Sequence, residues 1–371
     1  SMYVFKDKAG REVALRPEVT ASIARMFLEE LMAKPRPIKV FYIANCFRYE
    51  EPQKGRYREF FQAGVELIGS DSILSDAETI LLLDEYYERL NLPIEVIIGN
   101  VGIYRSILGE ERIGEEKQDR IIWLIDKGFL EEALREASGK ASNPVRVKRV
   151  LEELSTIRTS SNYDEAFREG EKLLKDNYPA ALKSLENLRK LLEMVEGATW
   201  SKIVLNLGFA RGLAYYTGII YEVKSPNINV SIAGGGRYDG LIELYGGPKT
   251  PATGFAIGLD RTLLSLMEAG IEISGEGSNI RVLIVPLVDE AIKLAMGILR
   301  KIHSVGVEAS IELMGRSLRR TLSYASSMKY THVILIGRRE MEEGKVTIRD
   351  MARKTQKTVD TEKLIDEISD D

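Results

Sequence analysis

Charged and amide side chains stand at in-phase positions of apolar strand patterns between residues 40 and 69. Val40, Tyr42, Ala44 and Cys46 alternate with Phe41, Ile43 and Asn45; further on, Phe60, Gln62, Gly64 and Glu66 alternate with Phe61, Ala63 and Val65. Both runs read as strands, and together they predict a hairpin. Period two gives Arg48 and Glu50 one face, and Gln62, Gly64 and Glu66 a single face. A buried charge at such positions is costly unless it is paired or meets a ligand, so an apolar core has no use for these residues. The joining segment EPQKGRYR carries Lys54, Arg56 and Arg58 around Gly55. That composition suits an exposed arm clamping a polyanion such as a triphosphate or an RNA end. A salt-bridged surface hairpin with no chemistry would use the same residues.

Three other stretches carry candidate chemistry. In GFARGLAYYTGIIYEV (208–223) Arg211 sits in an apolar context and needs an anion, and Tyr215 and Tyr216 follow it. SIAGGGRYDGL (231–241) has a glycine run that permits close approach of backbone to a ligand, just before Tyr238. ATGFAIGLDRTL (252–263) reads as a strand running into a helix, with small Gly254, Ala256 and Gly258 leaving room for a nucleotide before Arg261. The pattern GxxxxGK[ST] is absent, which disfavours a Walker-type phosphate loop. Glu18 precedes a helical pattern of Ile23, Met26, Phe27 and Leu31. Taken alone it reads as an N-terminal acid favoured by the helix dipole.

Taken together, FRYEEPQKGRYREF, RGLAYYTG with AGGGRYDGL, and GLDR resemble motif 2, the two histidine-specific signatures and motif 3 of the histidyl-tRNA synthetases, a family of class II aminoacyl-tRNA synthetases. The resemblance covers most of the chain. It implies an α+β class II catalytic core, an antiparallel sheet flanked by helices, with a helical insertion and a C-terminal α/β anticodon-binding domain. The implied activity is that of a histidine–tRNA ligase: ATP-dependent activation of histidine to histidyl-adenylate, then transfer to the 3′ end of tRNA(His). ATP and Mg²⁺ are the implied cofactors, with metal ligands unassigned.

Residue by residue, the resemblance makes Arg211 and Arg48 catalytic, as cations at the reacting carboxylate and α-phosphate. It assigns Glu18, Gln62, Glu66, Arg211, Tyr215, Tyr216 and Tyr238 to histidine. Thr20, Arg48, Glu50, Arg56 and Arg261 fall to ATP. Glu18 would meet the substrate ammonium, Gln62 the carboxylate, and Glu66 and Tyr216 the two imidazole nitrogens. Ala214 departs from the family's frequent aspartate, and Phe61 from its frequent histidine; Phe61 faces away from Gln62 and is expected to pack. The family usually begins with a motif 1 segment that builds a homodimer interface, and no counterpart precedes residue 1. Two rivals share the resemblance: a non-catalytic regulatory subunit of ATP phosphoribosyltransferase, and a pseudo-synthetase that senses tRNA. Retention of Arg48, Arg56, Arg211 and Arg261 speaks against both.

The chain is long enough for several domains, with 371 residues, 44% hydrophobic and 29% charged. A net charge of -4 provides no global basic field, so RNA contacts must come from local patches. The sequence has no apolar run long enough for a membrane span and no secretory signal pattern, which points to the cytoplasm. Its one cysteine, Cys46, reads as a buried structural thiol, and His303 and His332 make no zinc cluster. Composition and periodicity set off a helical stretch (101–199), a linker (274–280) and an α/β domain (281–371), and the resemblance makes residues 1–100 and 200–273 the two parts of the core and the helical stretch its insertion. In that last domain Arg316, Arg319, Arg320 and Lys329 could meet phosphates or simply line a solvated helix face.

Overall fold

Asp7 builds the first turn of the chain. Its Oδ1 accepts the backbone N–H groups of Ala9 and Arg11, each at 2.9 Å, and Gly10 takes the left-handed conformation that closes the turn. The flanking strands β1 (Val4–Lys6) and β2 (Glu12–Ala14) pair antiparallel. This computed structural model describes residues 2–51, 53–272 and 280–369. The chain divides into two units, 1–272 and 273–371. The linker expected at 274–280 lies, apart from Ile280, outside the described residues.

In the first unit the hairpin read from alternation is β3 (Ile38–Phe47) and β4 (Glu59–Ile68). The remaining strands are β5 (Glu95–Asn100), β6 (Arg158–Thr159), β7 (Lys202–Asn206), β8 (Ile219–Lys224), β9 (Ser231–Arg237) and β10 (Ala252–Gly258). They form one eight-stranded sheet in the order β3-β4-β10-β9-β8-β5-β7-β6, antiparallel except where β5 runs parallel to β7. The helix Ile73–Arg89, N-capped by the Ser72 side chain, packs Ala77, Ile80, Leu83 and Tyr87 into the core beside the sheet.

Register decides where small residues fall. On β10, Gly254 stands opposite Glu66 of β4 and Gly236 of β9; two residues on, Ala256 stands opposite Gly64 and Gly234. The centre of the sheet is therefore a floor nearly without side chains, which large polar groups can cross. Six helices occupy most of residues 101–195, from Val101–Glu110 to Pro179–Val195, with apolar faces buried around Leu134, Leu151, Phe167 and Leu188. Two helices in this stretch, Val101–Glu110 and Glu115–Asp126, pass beside the loop that leads into β8.

The second unit holds β11 (Arg281–Pro286), β12 (Glu308–Ile311), β13 (His332–Ile336), β14 (Lys345–Asp350) and β15 (Gln356–Asp360), ordered β12-β11-β13-β14-β15. The first three are parallel, as alternating strands and helices predict. β14 and β15 add an antiparallel margin that the sequence pattern did not signal: with Thr347, Arg349, Lys357 and Thr358 among their residues, they lack the apolar run of β13.

Candidate active site

One cavity opens over the small-residue floor. Glu18, Thr20, Arg48, Glu50, Gln62, Glu66, Arg211, Tyr215, Tyr216, Tyr238 and Arg261 all line it. Arg56 does not line it, although its neighbours Gly55 and Tyr57 do. Arg56 occupies an exposed tight turn, exchanging backbone hydrogen bonds with Gln53. The other two cations of the arm are engaged elsewhere. Lys54 Nζ meets Glu268 Oε1 at 2.7 Å, and Arg58 lies 5.4 Å from the centre of the Tyr49 ring.

Glu66 anchors the deep end and is 1% exposed. Thr20 Oγ1 donates to its Oε1 at 2.7 Å, and the Tyr238 hydroxyl donates to Oε2. Burial pushes the Glu66 carboxyl up to about 8 in spite of these two donors, and the charge of Glu18 adds to the rise. Space for this carboxylate depends on Gly254, where a Cβ would stand 2.0 Å from Glu66 Oε2. Tyr215 packs against Tyr216 with ring centres 4.8 Å apart, and edge-on against Tyr238 at 5.9 Å. Burial raises all three phenols, so they remain neutral donors. The Cys46 thiol donates to Gln62 Oε1 at 3.3 Å, turning the amide nitrogen to other partners; Cys46 itself is buried, as its strand position predicts.

The two carboxylate oxygens of Glu18 have different surroundings. Its Oε1 accepts the Ala21 N–H at 3.0 Å in the first turn of the helix Thr20–Met26, which is the helix-end reading. Its Oε2 is buried without a hydrogen-bond partner, and the residue faces the cavity. A buried carboxylate oxygen left free is costly, and a ligand ammonium would satisfy it.

The other side of the cavity is cationic. Arg211 crosses β9 at Gly234, where a Cβ would stand 1.9 Å from its Nη1; the glycine run thus seats a side chain as well as leaving the floor open. Nη1 donates to the Tyr221 carbonyl at 3.2 Å and lies 4.0 Å from Glu222 Oε1. Arg48 donates to the Pro17 carbonyl at 2.9 Å and stacks 5.0 Å from the centre of the Phe60 ring. Arg261 donates to the Gly55 and Ser231 carbonyls at 2.7 and 2.9 Å. Burial lowers its pKa, and the nearby charges of Arg48 and Arg56 lower it further, while Glu50 opposes them. Cations held close at this cost make a site for a multiply charged anion.

Phe61 does not pack as expected. It faces away from Gln62 but is 49% exposed, on a sheet face that also shows Phe41 and Ile43 at 79% and 68%. Sequence reading also missed how the run Arg237-Tyr238-Asp239 divides its labour. Arg237 is buried away from the ligand space, donating to Asp76 Oδ2 at 3.0 and 2.7 Å and to the Ser70 and Ser72 carbonyls at 3.1 and 3.0 Å. Asp239 accepts from Arg237 and from Ala252 N–H, so only Tyr238 of the three enters the cavity. The charge on Asp76, in phase with apolar helix positions, was the available signal. Arg237→Ala should destabilise the fold by about 3–5 kcal/mol, because it leaves Asp76 buried and unpaired. Chemical denaturation of the two proteins at neutral pH measures this.

A family model described as histidyl-tRNA synthetase matches residues 1–262, and one described as anticodon binding domain matches residues 281–371. The histidine–tRNA ligase of Metallosphaera sedula is 41% identical over 371 residues, covering 100% of this chain and 85% of that protein. Among solved structures, an ATP phosphoribosyltransferase regulatory subunit/histidyl-tRNA synthetase from Bacillus halodurans is similar with a TM-score of 0.72 at 25% identity, over 90% of this chain and 82% of that one. Apo histidyl-tRNA synthetase from S. aureus gives a TM-score of 0.65 at 25% identity, over 99% of this chain and 84% of that one. The chain belongs to the histidyl-tRNA synthetase family, an enzyme family of histidine–tRNA ligases.

Proposed function

We propose that the cavity binds histidine at its Glu66 end and ATP at its arginine end, and joins them as histidyl-adenylate before transfer to tRNA(His). The observation that carries this reading is the pairing of the free Glu18 oxygen and the Glu66 carboxylate with Arg48, Arg211 and Arg261 around one small-residue floor. Glu18 Oε2 receives the substrate ammonium, and Gln62 donates to the substrate carboxylate. Glu66 and Tyr216 hold the two imidazole nitrogens. Thr20 and Tyr238, already hydrogen-bonded to Glu66, fix its orientation. A ring that can donate and accept at once suits such a pair of partners.

An oxygen of the substrate carboxylate attacks the α-phosphorus in line, and pyrophosphate leaves with the electron pair of the broken P–O bond. Negative charge gathers on the reacting oxygens, where Arg211 and Arg48 stabilise it without a covalent enzyme intermediate. Arg261 holds the outer phosphates, and Arg56 joins it from the arm. In the second step the terminal ribose hydroxyl of tRNA attacks the acyl carbon, and AMP leaves. Mg²⁺ bound with ATP supplies neutralisation of the phosphate charge. Glu50, a carboxylate that lines the cavity, would hold the ion together with the phosphates and water.

We place RNA binding in residues 281–371 and the helical stretch, and the enzyme in the cytoplasm with its substrates; no helix among the described residues is long and apolar enough to cross a membrane. The exposed face of Phe41, Ile43 and Phe61 supports a homodimer. A regulatory or tRNA-sensing role without catalysis has no need of Arg48, Arg211 and Arg261 lining one cavity beside a buried carboxylate. The test is charging of tRNA(His) transcript with labelled histidine and ATP. Formation of alkali-labile histidyl-tRNA is the expected result. Binding of the transcript with neither adenylate formation nor acylation would favour a sensing role.

A further inference from the structure

The loop that carries Leu213, Tyr215 and Tyr216 into the cavity belongs to no strand or helix. Its own backbone offers little restraint: Tyr216 N–H donates to the Leu213 carbonyl at 3.2 Å, and Thr217 N–H to the Arg237 carbonyl at 2.9 Å. Outside the cavity one side chain gathers the rest. Arg105, on the helix Val101–Glu110, donates through Nε to the Tyr216 carbonyl at 3.0 Å and through Nη2 to the Ala214 carbonyl at 2.8 Å. Nη2 also pairs with Asp119 Oδ1 at 2.8 Å, and Asp119 is on the next helix, Glu115–Asp126. That helix presses on the same loop, because a Cβ at Gly212 would stand 2.9 Å from Asp126 Oδ2 and 3.0 Å from Trp123 Cδ1.

We propose that Arg105 is a positioning residue for amino-acid recognition. It clamps the carbonyls on either side of Tyr215 so that both tyrosine rings face the substrate. The planar guanidinium suits this task, since its donors lie in fixed directions and can bind two carbonyls and a carboxylate together. Lysine, a single point donor on a flexible stem, cannot reproduce the arrangement. Arg105 touches neither substrate nor any of the cavity arginines, so its effect is confined to the histidine end. The inference rests on the assignment of that end to histidine.

The experiment is ATP–pyrophosphate exchange for the whole chain and for Arg105→Ala and Arg105→Lys, with the KM of histidine and of ATP measured separately. Misplacing the loop should raise the histidine KM about 10- to 100-fold in Arg105→Ala and by an intermediate factor in Arg105→Lys. The ATP KM should change by less than about twofold, since the ATP contacts are untouched. If Arg105→Ala does not fold, Asp119→Asn, which weakens the anchor of the clamp but leaves its two carbonyl bonds, should still raise the histidine KM selectively by about threefold. An unchanged histidine KM, or an equal rise for both substrates, overturns the proposal in favour of a purely structural Arg105. Absence of histidine-dependent exchange in the unsubstituted protein would instead overturn the histidine assignment itself.

Discussion

Arg211→Gln should lower the single-turnover rate of histidyl-adenylate formation by about 10³-fold, the cost typical of removing one preorganised donor from a developing oxyanion. Glutamine keeps a hydrogen-bonding side chain but loses the charge and the reach. The substitution removes one contact to the Tyr221 carbonyl and a distant pairing with Glu222, at 3.2 and 4.0 Å, so the melting temperature should change little. Rapid quench with α-labelled ATP separates the chemical step from binding. A fall of less than tenfold would assign Arg211 to the architecture of β8 and β9 and move charge stabilisation to Arg48 and Arg261.

Glu66→Gln should act in two opposite directions. Histidine affinity should fall by about 10²-fold or more, since the carboxylate that accepts from the imidazole, ionised only once the ligand is bound, is lost. Stability, in contrast, should rise. Burial holds the Glu66 carboxyl at about 8 in the folded chain, above the 4.5 of the free group. Between pH 4.5 and 8 the native state therefore keeps a proton that the unfolded state releases. Bound protons in excess on the native side mean that stability falls as pH rises through this window. Glutamine does not titrate, so the variant should gain on the original protein across the same window, reaching about 2–5 kcal/mol near the upper end and almost nothing at the lower end. Urea unfolding at several pH values, without ligand, measures the difference; a constant difference across the window would mean that Glu66 is ionised in the empty cavity. A residue that weakens the fold to serve the ligand is expected where recognition is built on buried charge.

The parts of this site that residue type and spacing disclosed, before any resemblance, are polar residues whose positions conflict with the period of the element around them; Thr20, Tyr216, Tyr238 and Arg261 took their roles from the resemblance alone. Gln62 and Glu66 share a face of an apolar strand, and Arg211 interrupts an apolar run, so each stands out by residue type and spacing alone. Glu18 was ambiguous because its two carboxylate oxygens differ: one accepts from the helix end, and the other is buried without a partner beside the cavity. Arg237 and Tyr238 are adjacent at a strand end, and period two cannot say which of the two faces is ligand and which is core. Only the partner at Asp76, 161 positions away, decides it. Lys54 and Arg58 looked like ligands because charge on a loop has no period to violate, and their partners Glu268 and Tyr49 were equally invisible. Arg105 escaped notice for the same reason, since on a helix near an apolar run it resembles any solvated cation. Its use is set by two carbonyls more than a hundred residues away.

The central claim is that the cavity activates histidine and no other amino acid. ATP–pyrophosphate exchange, run with each amino acid in turn and without tRNA, tests it most directly, with a calorimetric titration of histidine alongside. Exchange with histidine, and rates about 10⁴-fold lower with amino acids lacking the imidazole donor and acceptor, is the predicted result. Comparable exchange with another amino acid, or neither exchange nor heat with histidine, would contradict the assignment of Glu66, Tyr216 and Glu18 to a histidine pocket.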